Sequence, residues 1–415
     1  MAVTSATTLD ATRLRADFPI FEQRFHGQPL AYLDSAASAQ KPRQMLDAMT
    51  RFYETSYANV HRGVYELAER ATAALEHARE RCRAFVNAPS AKEIVFVRNA
   101  TEALNLVAYA WGLNNLRPGD AVLVTELEHH ANFVPWQFIA RKTGADFRML
   151  PVEPDGTLHL DELDELAGDA RVKVVATGYV SNVLGGSNDV PRIAAWAHER
   201  GAIHVCDAAQ AAPHRRVDVQ ALGSDFVAVS GHKMCGPSGI GFLWGKTELL
   251  LEMDPFLTGG HMIRRVRADE TTWGELPHKF EAGTAPMAEA VGLAAAIDYL
   301  EAVGLEAIEQ HEHELVAYAL ERLAEIPGVT TWGPPPEKRA GIVSFDVAGV
   351  HPHDVAQVLD LDGVAIRAGH HCCQPLMGRL GVVATNRASF YLYTVPEEID
   401  RLAAGLWKVK ETFGG

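Results

Sequence analysis

The stretch SGHKMCGPSGIG, Ser230 to Gly241, decides how the rest of the chain is read. It overlaps the end of DFVAVSG (225–231), an apolar run of strand length, and runs on into a Gly/Pro/Ser turn. Lys233 thus stands just past the carboxyl end of a buried strand, where open α/β sheets put their ligands. A lone lysine is ordinarily a surface charge. One held out of water has a lowered pKa and can form a Schiff base with a carbonyl, including that of pyridoxal phosphate (PLP).

That hypothesis makes demands on the rest of the sequence. A carboxylate must keep a pyridine nitrogen protonated, and HVCDAAQA supplies Asp207 at a strand end with Gln210 one turn onward. A phosphate needs a helix N-terminus with a hydroxyl, and RNATEALNLV supplies Thr101 at a strand-to-helix switch. A flat group should cover a ring, and LEHHANFVPW offers His129 or His130 after another strand. Each has a plain alternative: Asp207 as a helix cap, Thr101 as an N-cap, the histidines as loop residues. Their common position at strand ends, in chain order, favours the cofactor.

Around these motifs the chain alternates strands and helices. Strands are expected at KEIVFV (92–97), AVLVTEL (121–127), DFRMLPV (146–152), VKVVATGYV (172–180) and AIHVCDA (202–208), with helices at 101–111, near 132–142 and at VPRIAAWAHERG. This pattern predicts an α/β fold whose mostly parallel sheet is flanked by helices. GIGFLWG (239–245) follows its turn so closely that antiparallel pairing is expected. Beyond residue 290 the texture changes to long helices at 287–303 and 305–326 and short strands at 341–347, 364–367 and 388–394. The expected division is a large domain over 25–295 and a smaller α+β domain from 1–24 and 296–415.

Composition narrows the function. A net charge of −15 over 415 residues argues against nucleic-acid binding, and the densest basic run, IRRVR (263–267), reads as a solvated loop. No apolar run reaches the roughly 18 residues of a membrane span. The N-terminal segment MAVTSATTLDATRLRADFPIF lacks the apolar core of a secretory signal. Five cysteines, at 82, 206, 235, 372 and 373, form the odd, sparse set expected of a reducing cytoplasm.

Two of them lie in AGHHCCQP (368–375). Consecutive ligands diverge in a regular backbone, so His370, His371, Cys372 and Cys373 do not suit one tetrahedral metal, and no resident metal is expected. The nucleophile reading remains. In an extended loop the two thiols face opposite sides, so one of them faces the cofactor. Arg367, His370 or His371 is placed to raise its thiolate fraction. Cys82, Cys206 and Cys235 read as packing.

The chain resembles the SufS-type cysteine desulfurases, in the class V aminotransferase branch of fold-type I PLP enzymes. The likeness runs from about residue 18 to the C-terminus. It rests on LDSAASAQKP (33–42), NVHRGVYELAERAT (59–72), NATEALNLVA, LEHHANFVPWQ, YVSNVLG (179–185), CDAAQ, SGHKMCGPSGIG, FEAGT (280–284), RAGHHCCQPLM (367–377) and NRASFYLYT (386–394). The sequence departs from the family pattern at Ala100, at the alanine before the proline of EAGTAP, and at Cys373.

The resemblance implies that Lys233 carries the cofactor and later acts as base, that His129 stacks on the ring, and that Asp207 and Gln210 bind ring nitrogen and hydroxyl. It assigns the phosphate to Thr101, Ser230 and His232, with Thr284 reaching across from the second subunit of a homodimer. Arg387 would clamp the substrate carboxylate, Asn182 would help hold substrate and cofactor, and Arg367 and His61 would line the pocket. Cys372 would take sulfur from L-cysteine as a persulfide, leaving alanine, for delivery to iron–sulfur cluster assembly. Histidine at position 353 is shared with relatives that serve a zinc-containing SufU-type acceptor, so that acceptor is expected over a SufE-type one. Its alternative is an ordinary first-turn residue beside Asp354. Selenocysteine would fit the same pocket. Competing readings are a selenocysteine lyase, a cysteine-sulfinate desulfinase, an aminotransferase, or a non-enzymatic zinc module. The last leaves Lys233, Asp207 and Arg387 without a role.

Overall fold

Seven strands build the central sheet: β1 (Ile94–Val97), β2 (Asp120–Thr125), β3 (Asp146–Leu150), β4 (Arg171–Gly178), β5 (Ile203–Asp207), β6 (Phe226–Ser230) and β7 (Gly241–Gly245). In this computed structural model, which describes residues 9–61 and 63–414, their spatial order is β1-β7-β6-β5-β4-β2-β3. Residues 1–8 of the expected N-terminal segment lie outside the described residues. Strands β3, β2, β4, β5 and β6 run parallel, and β7 pairs antiparallel with both β6 and β1. The fold is the α/β arrangement expected from the strand–helix alternation, a mostly parallel sheet flanked by helices.

Both faces of the sheet are covered, which is why the strands read as unbroken apolar runs. Alternate residues of one strand go to opposite cores. Phe96, Val227 and Val229 face one cluster with Met45, Leu75 and Leu293, while Val95, Phe226 and Ala228 face another with Leu104, Trp136 and Ile139. The first cluster draws on helices α1 (Arg43–Thr55), α2 (Glu66–Phe85) and α6 (Met287–Val303), the second on α3 (Ala100–Val107) and α4 (His130–Thr143). Helix α5 (Val190–Glu199) covers β4 and β5.

A second sheet orders β8 (Val329–Trp332), β9 (Ile342–Val347), β11 (Thr385–Ser389) and β10 (Arg367–Gly369) as β8-β9-β11-β10, all antiparallel. Helices α7 (Leu305–Ala324), α8 (Pro352–Leu361) and α10 (Pro396–Phe413) close its core, and α9 (Gln374–Leu380) follows the double cysteine. Ala31 and Leu33 pack in this core, and residues 31–32 pair in parallel with 364–365. Among the described residues no helix is long and apolar enough to cross a membrane.

Three local expectations are corrected. The strand expected at 388–394 is β11, ending at Ser389; Phe390 to Tyr393 are apolar because the turn that follows is itself buried. The helix expected from Thr101 begins at Ala100, capped by Asn99, whose side-chain oxygen accepts from the Glu102 N–H at 3.0 Å. The basic run 263–267 is mostly strand: Ile263–Val266 forms an exposed hairpin with Thr271–Trp273.

Candidate active site

The carboxyl ends of β1, β2, β4, β5 and β6 open on one cavity. Lys233, Asp207, Gln210, Ser230, His232, Thr101, His129, Asn182, Arg367, Cys372 and Arg387 all line it. His61 and Thr284 do not: Thr284 lies in a separate cleft with Arg98 and Phe256, and His61 packs against His261 and His278.

Lys233 follows β6 on a single tight turn, Gly231–Lys233. Burial pushes its amine down to about 8; Asp207 opposes that shift, while the Arg387 and Arg367 charges add to it. Asp207 ends β5 and is pushed up by its own burial against the pull of Lys233, with one oxygen accepting from the Ala209 N–H at 2.9 Å. The register explains the juxtaposition: Gly178 of β4 pairs with Asp207, which pairs with Ala228, so the strands end at one level beside Ser230.

Ser230 Oγ accepts the Ala100 N–H at 2.9 Å, which docks the start of α3 on the end of β6. The Thr101 side chain is exposed in the cavity beside it. His232 is neutral, its pKa lowered to about 4 by burial and then by Lys233 and Lys41, and its Nδ1 lies 3.3 Å from Ser38 Oγ. His129 caps α4, its Nδ1 accepting the Ala131 N–H at 3.0 Å, which leaves the proton on Nε2. Burial and the neighbouring Lys233 lower its pKa to about 3, so the ring is a neutral plate.

Arg387, on β11, is 2% exposed and lies opposite Arg367 in the sheet. Its guanidinium donates to Asn182 O at 2.8 Å and to Asp34 Oδ1 at 3.1 Å, while its Nε is buried without a hydrogen-bond partner. Asn182 Nδ2 donates to His371 O at 2.7 Å, so this residue links the arginine, through its backbone carbonyl, to the cysteine loop, through its side chain.

That loop is not extended: His371 and Cys372 have φ of 51° and 55°, in the left-handed region. The thiols still diverge. Cys372 faces the cavity, whereas Cys373 is fully buried among Leu127, Val183 and Leu376, with its thiol donating to Glu126 O at 3.5 Å and burial pushing its pKa to about 12. His371 cannot act as a cation beside the thiol, because burial holds its pKa near 3 and its Nε2 is engaged by Thr385. His370 stays at the surface, its Nδ1 accepting the Cys372 N–H at 3.1 Å. His353 is exposed on the first turn of α8, whose cap is His351. Cys82, Cys206 and Cys235 are buried.

Two cavity neighbours escaped the sequence reading. Asp34, the carboxylate on Arg387, sits within LDSAAS, but 353 residues separate the pair. Glu128 is buried and raised to about 7 by desolvation, and it accepts from Thr125 Oγ1 at 2.7 Å and Asn132 Nδ2 at 2.6 Å. Its only signal was a position next to His129.

Residues 31–402 match the family model for aminotransferase class-V. The chain belongs to that family. It is 52% identical over 406 residues to a probable cysteine desulfurase of Halalkalibacterium halodurans, covering 98% of this chain and 99% of that one. It is 51% identical over 412 residues to a probable cysteine desulfurase of Streptomyces coelicolor, covering 98% of each. The crystal structure of the cysteine desulfurase CsdA from Escherichia coli superposes with a TM-score of 0.91 at 39% identity, covering 98% of this chain and all of the other. The chain therefore sits among the cysteine desulfurases of the class V family, whose cofactor is PLP. The cavity fits that group. It offers a desolvated amine at Lys233, a buried carboxylate at Asp207, and two buried atoms with no hydrogen-bond partner, Gln210 Oε1 and Arg387 Nε.

Proposed function

We propose that the protein is a SufS-type cysteine desulfurase that converts L-cysteine to L-alanine, stores the sulfur as a persulfide on Cys372 and passes it on for iron–sulfur cluster assembly. One observation carries this reading: the thiol of Cys372 lines the same cavity as Lys233, Asp207 and Arg387, while its neighbour Cys373 is turned into a core. An aminotransferase has no use for that thiol.

PLP, when bound, supplies an electron sink for the substrate Cα. Lys233 Nζ would hold the cofactor, and its free amine is the base placed to take the Cα proton. Asp207 keeps the ring nitrogen protonated, Gln210 meets the ring hydroxyl, and His129 covers the ring as a neutral plate. Thr101, Ser230, His232 and the first turn of α3 take the phosphate. Arg387 holds the substrate carboxylate bidentately, with Asp34 and Asn182 fixing its plane. The Cys372 thiolate then attacks the substrate sulfur. An S–S bond forms and the substrate Cβ–S bond breaks. The electron pair left at Cβ is protonated, and the Lys233 ammonium returns a proton to Cα, which gives alanine.

Thr284 and His61, outside the cavity of this chain, suit a homodimer in which Thr284 completes the partner's phosphate site. The exposed His353 supports a zinc-containing SufU-type acceptor over a SufE-type one, and the reducing cytoplasm is the compartment proposed. The two sheets suit a domain of 25–295 and one of 1–24 with 296–415, except that Leu14 and Phe18 pack in the core of the central sheet and Ala31 and Leu33 in that of the second. The test is alanine and sulfide release from L-cysteine, with selenocysteine in parallel. Stoichiometric alanine from cysteine, lost in Cys372→Ser, is expected. Alanine formed from selenocysteine alone would make the protein a selenocysteine lyase. Stimulation by a zinc-loaded SufU-type protein should fall in His353→Ala.

A further inference from the structure

Outside the cavity, three histidines from distant parts of the chain meet. One ring nitrogen each of His61, His261 and His278 lies within 4.8 Å of the others, and the rings form a near-regular triangle with centroids 5.0, 4.9 and 5.3 Å apart. His61 lies in the loop before α2, His261 just before the Ile263–Val266 strand, and His278 opens the short turn His278–Phe280.

The surroundings favour a cation. Oε1 of Glu76 stands 3.5 Å from His61 Nε2, and Oε2 of Glu281 stands 3.8 Å from His278 Nδ1. Arg79 pairs with both carboxylates, so the two glutamates and one arginine leave a net negative charge beside the rings. His61 and His261 also hold left-handed backbone, with φ of 66° and 76°. Such conformations are unfavourable in a non-glycine residue and persist where the surroundings fix them.

We infer that His61, His261 and His278 form a binding site for a divalent transition metal, zinc above all, outside the cavity that Lys233 lines in the same chain. Three imidazoles suit zinc, nickel or copper rather than magnesium or calcium. Zinc–nitrogen bonds of about 2.0–2.1 Å put tetrahedral ligands roughly 3.3–3.4 Å apart, so the rings close on the ion by side-chain movements of about an ångström. Glu76 and Glu281 act as the outer carboxylates that orient ligating histidines. A fourth position stays open to water. The ion ties the loop ahead of α2 to the segment 261–278.

The test is zinc binding to chelator-treated holoenzyme, read by metal analysis and by competition with a chromophoric chelator. Wild type and Cys372→Ser should each bind one zinc per chain. His261→Gln and His278→Gln should keep the PLP absorbance and the metal-free melting temperature but bind zinc at least ~10-fold more weakly. Cobalt-loaded wild type, which needs no variant to fold, should show tetrahedral ligand-field bands without a thiolate charge-transfer band. No stoichiometric zinc, zinc held unchanged by both histidine variants, zinc lost in Cys372→Ser, or a thiolate band would each overturn the site.

Discussion

The carbonyl of Cys372 accepts the N–H of His130 at 2.7 Å, which ties the nucleophile loop to the first turn of α4, the helix capped by His129. Two further bonds hold the loop: Asn182 to His371 O, and the Gln374 N–H to His130 Nε2 at 3.2 Å. Side-chain removal tests two of these three ties. Asn182→Ala or His130→Ala should lower desulfurase turnover by roughly 5-fold, the equivalent of about 1 kcal/mol for one hydrogen bond. Alkylation of Cys372 by iodoacetamide should speed up as the loop loosens. An unchanged alkylation rate would mean that the loop is held some other way.

The Lys233 amine sets a pH dependence for cofactor loading. Its neutral form is the nucleophile, and burial lowers its pKa to about 8. About one tenth is then neutral at pH 7, against fewer than about one in a thousand for an ordinary lysine near 10.4. The rate at which apoenzyme regains its visible band with PLP should therefore rise with pH and level off above about 8. Because Asp207 raises the lysine pKa, Asp207→Asn should move that midpoint down. A midpoint near 10 would remove desolvation as the cause.

Arg387 makes a claim on KM. Losing one charge-assisted hydrogen bond costs about 1.5–3 kcal/mol, or roughly 10- to 150-fold. Arg387→Lys keeps the charge and loses the planar fork. It should raise KM for L-cysteine within that range while leaving bound PLP intact. A fall in kcat with KM unchanged would place the arginine outside substrate binding.

Cys373 should prove a packing residue. Its sulfur fills a pocket between Leu127 and Leu376. Cys373→Ala should keep desulfurase turnover and lose about 1 kcal/mol of stability, in line with other small core truncations. Denaturant unfolding with a parallel activity assay measures both.

How much of this was legible in the sequence follows from the kind of signal each feature leaves. The central strands were readable because a sheet covered on both faces demands apolar runs, and Lys233 and Asp207 were readable because they end such runs. The strand at β11 was set too late because Phe390 to Tyr393 are buried for a different reason, as a turn packed in the core. Thr101 looked like a cap, although Asn99 with its shorter reach to Glu102 does that work. The Asp34–Arg387 pair and the three histidines left no local trace, since only the folded chain brings together residues 353 apart or segments near 61, 261 and 278. The extended-loop argument for the cysteines used the wrong backbone, yet the left-handed turn also separates the two thiols.

The central claim is that sulfur leaves L-cysteine for Cys372. Mass spectrometry of the enzyme after brief incubation with L-cysteine, followed by alkylation and peptide mapping, tests it directly. The account predicts one added sulfur on Cys372 and none on Cys373, Cys235, Cys206 or Cys82. A persulfide on Cys373, or alanine release with no sulfur on any cysteine, would contradict it.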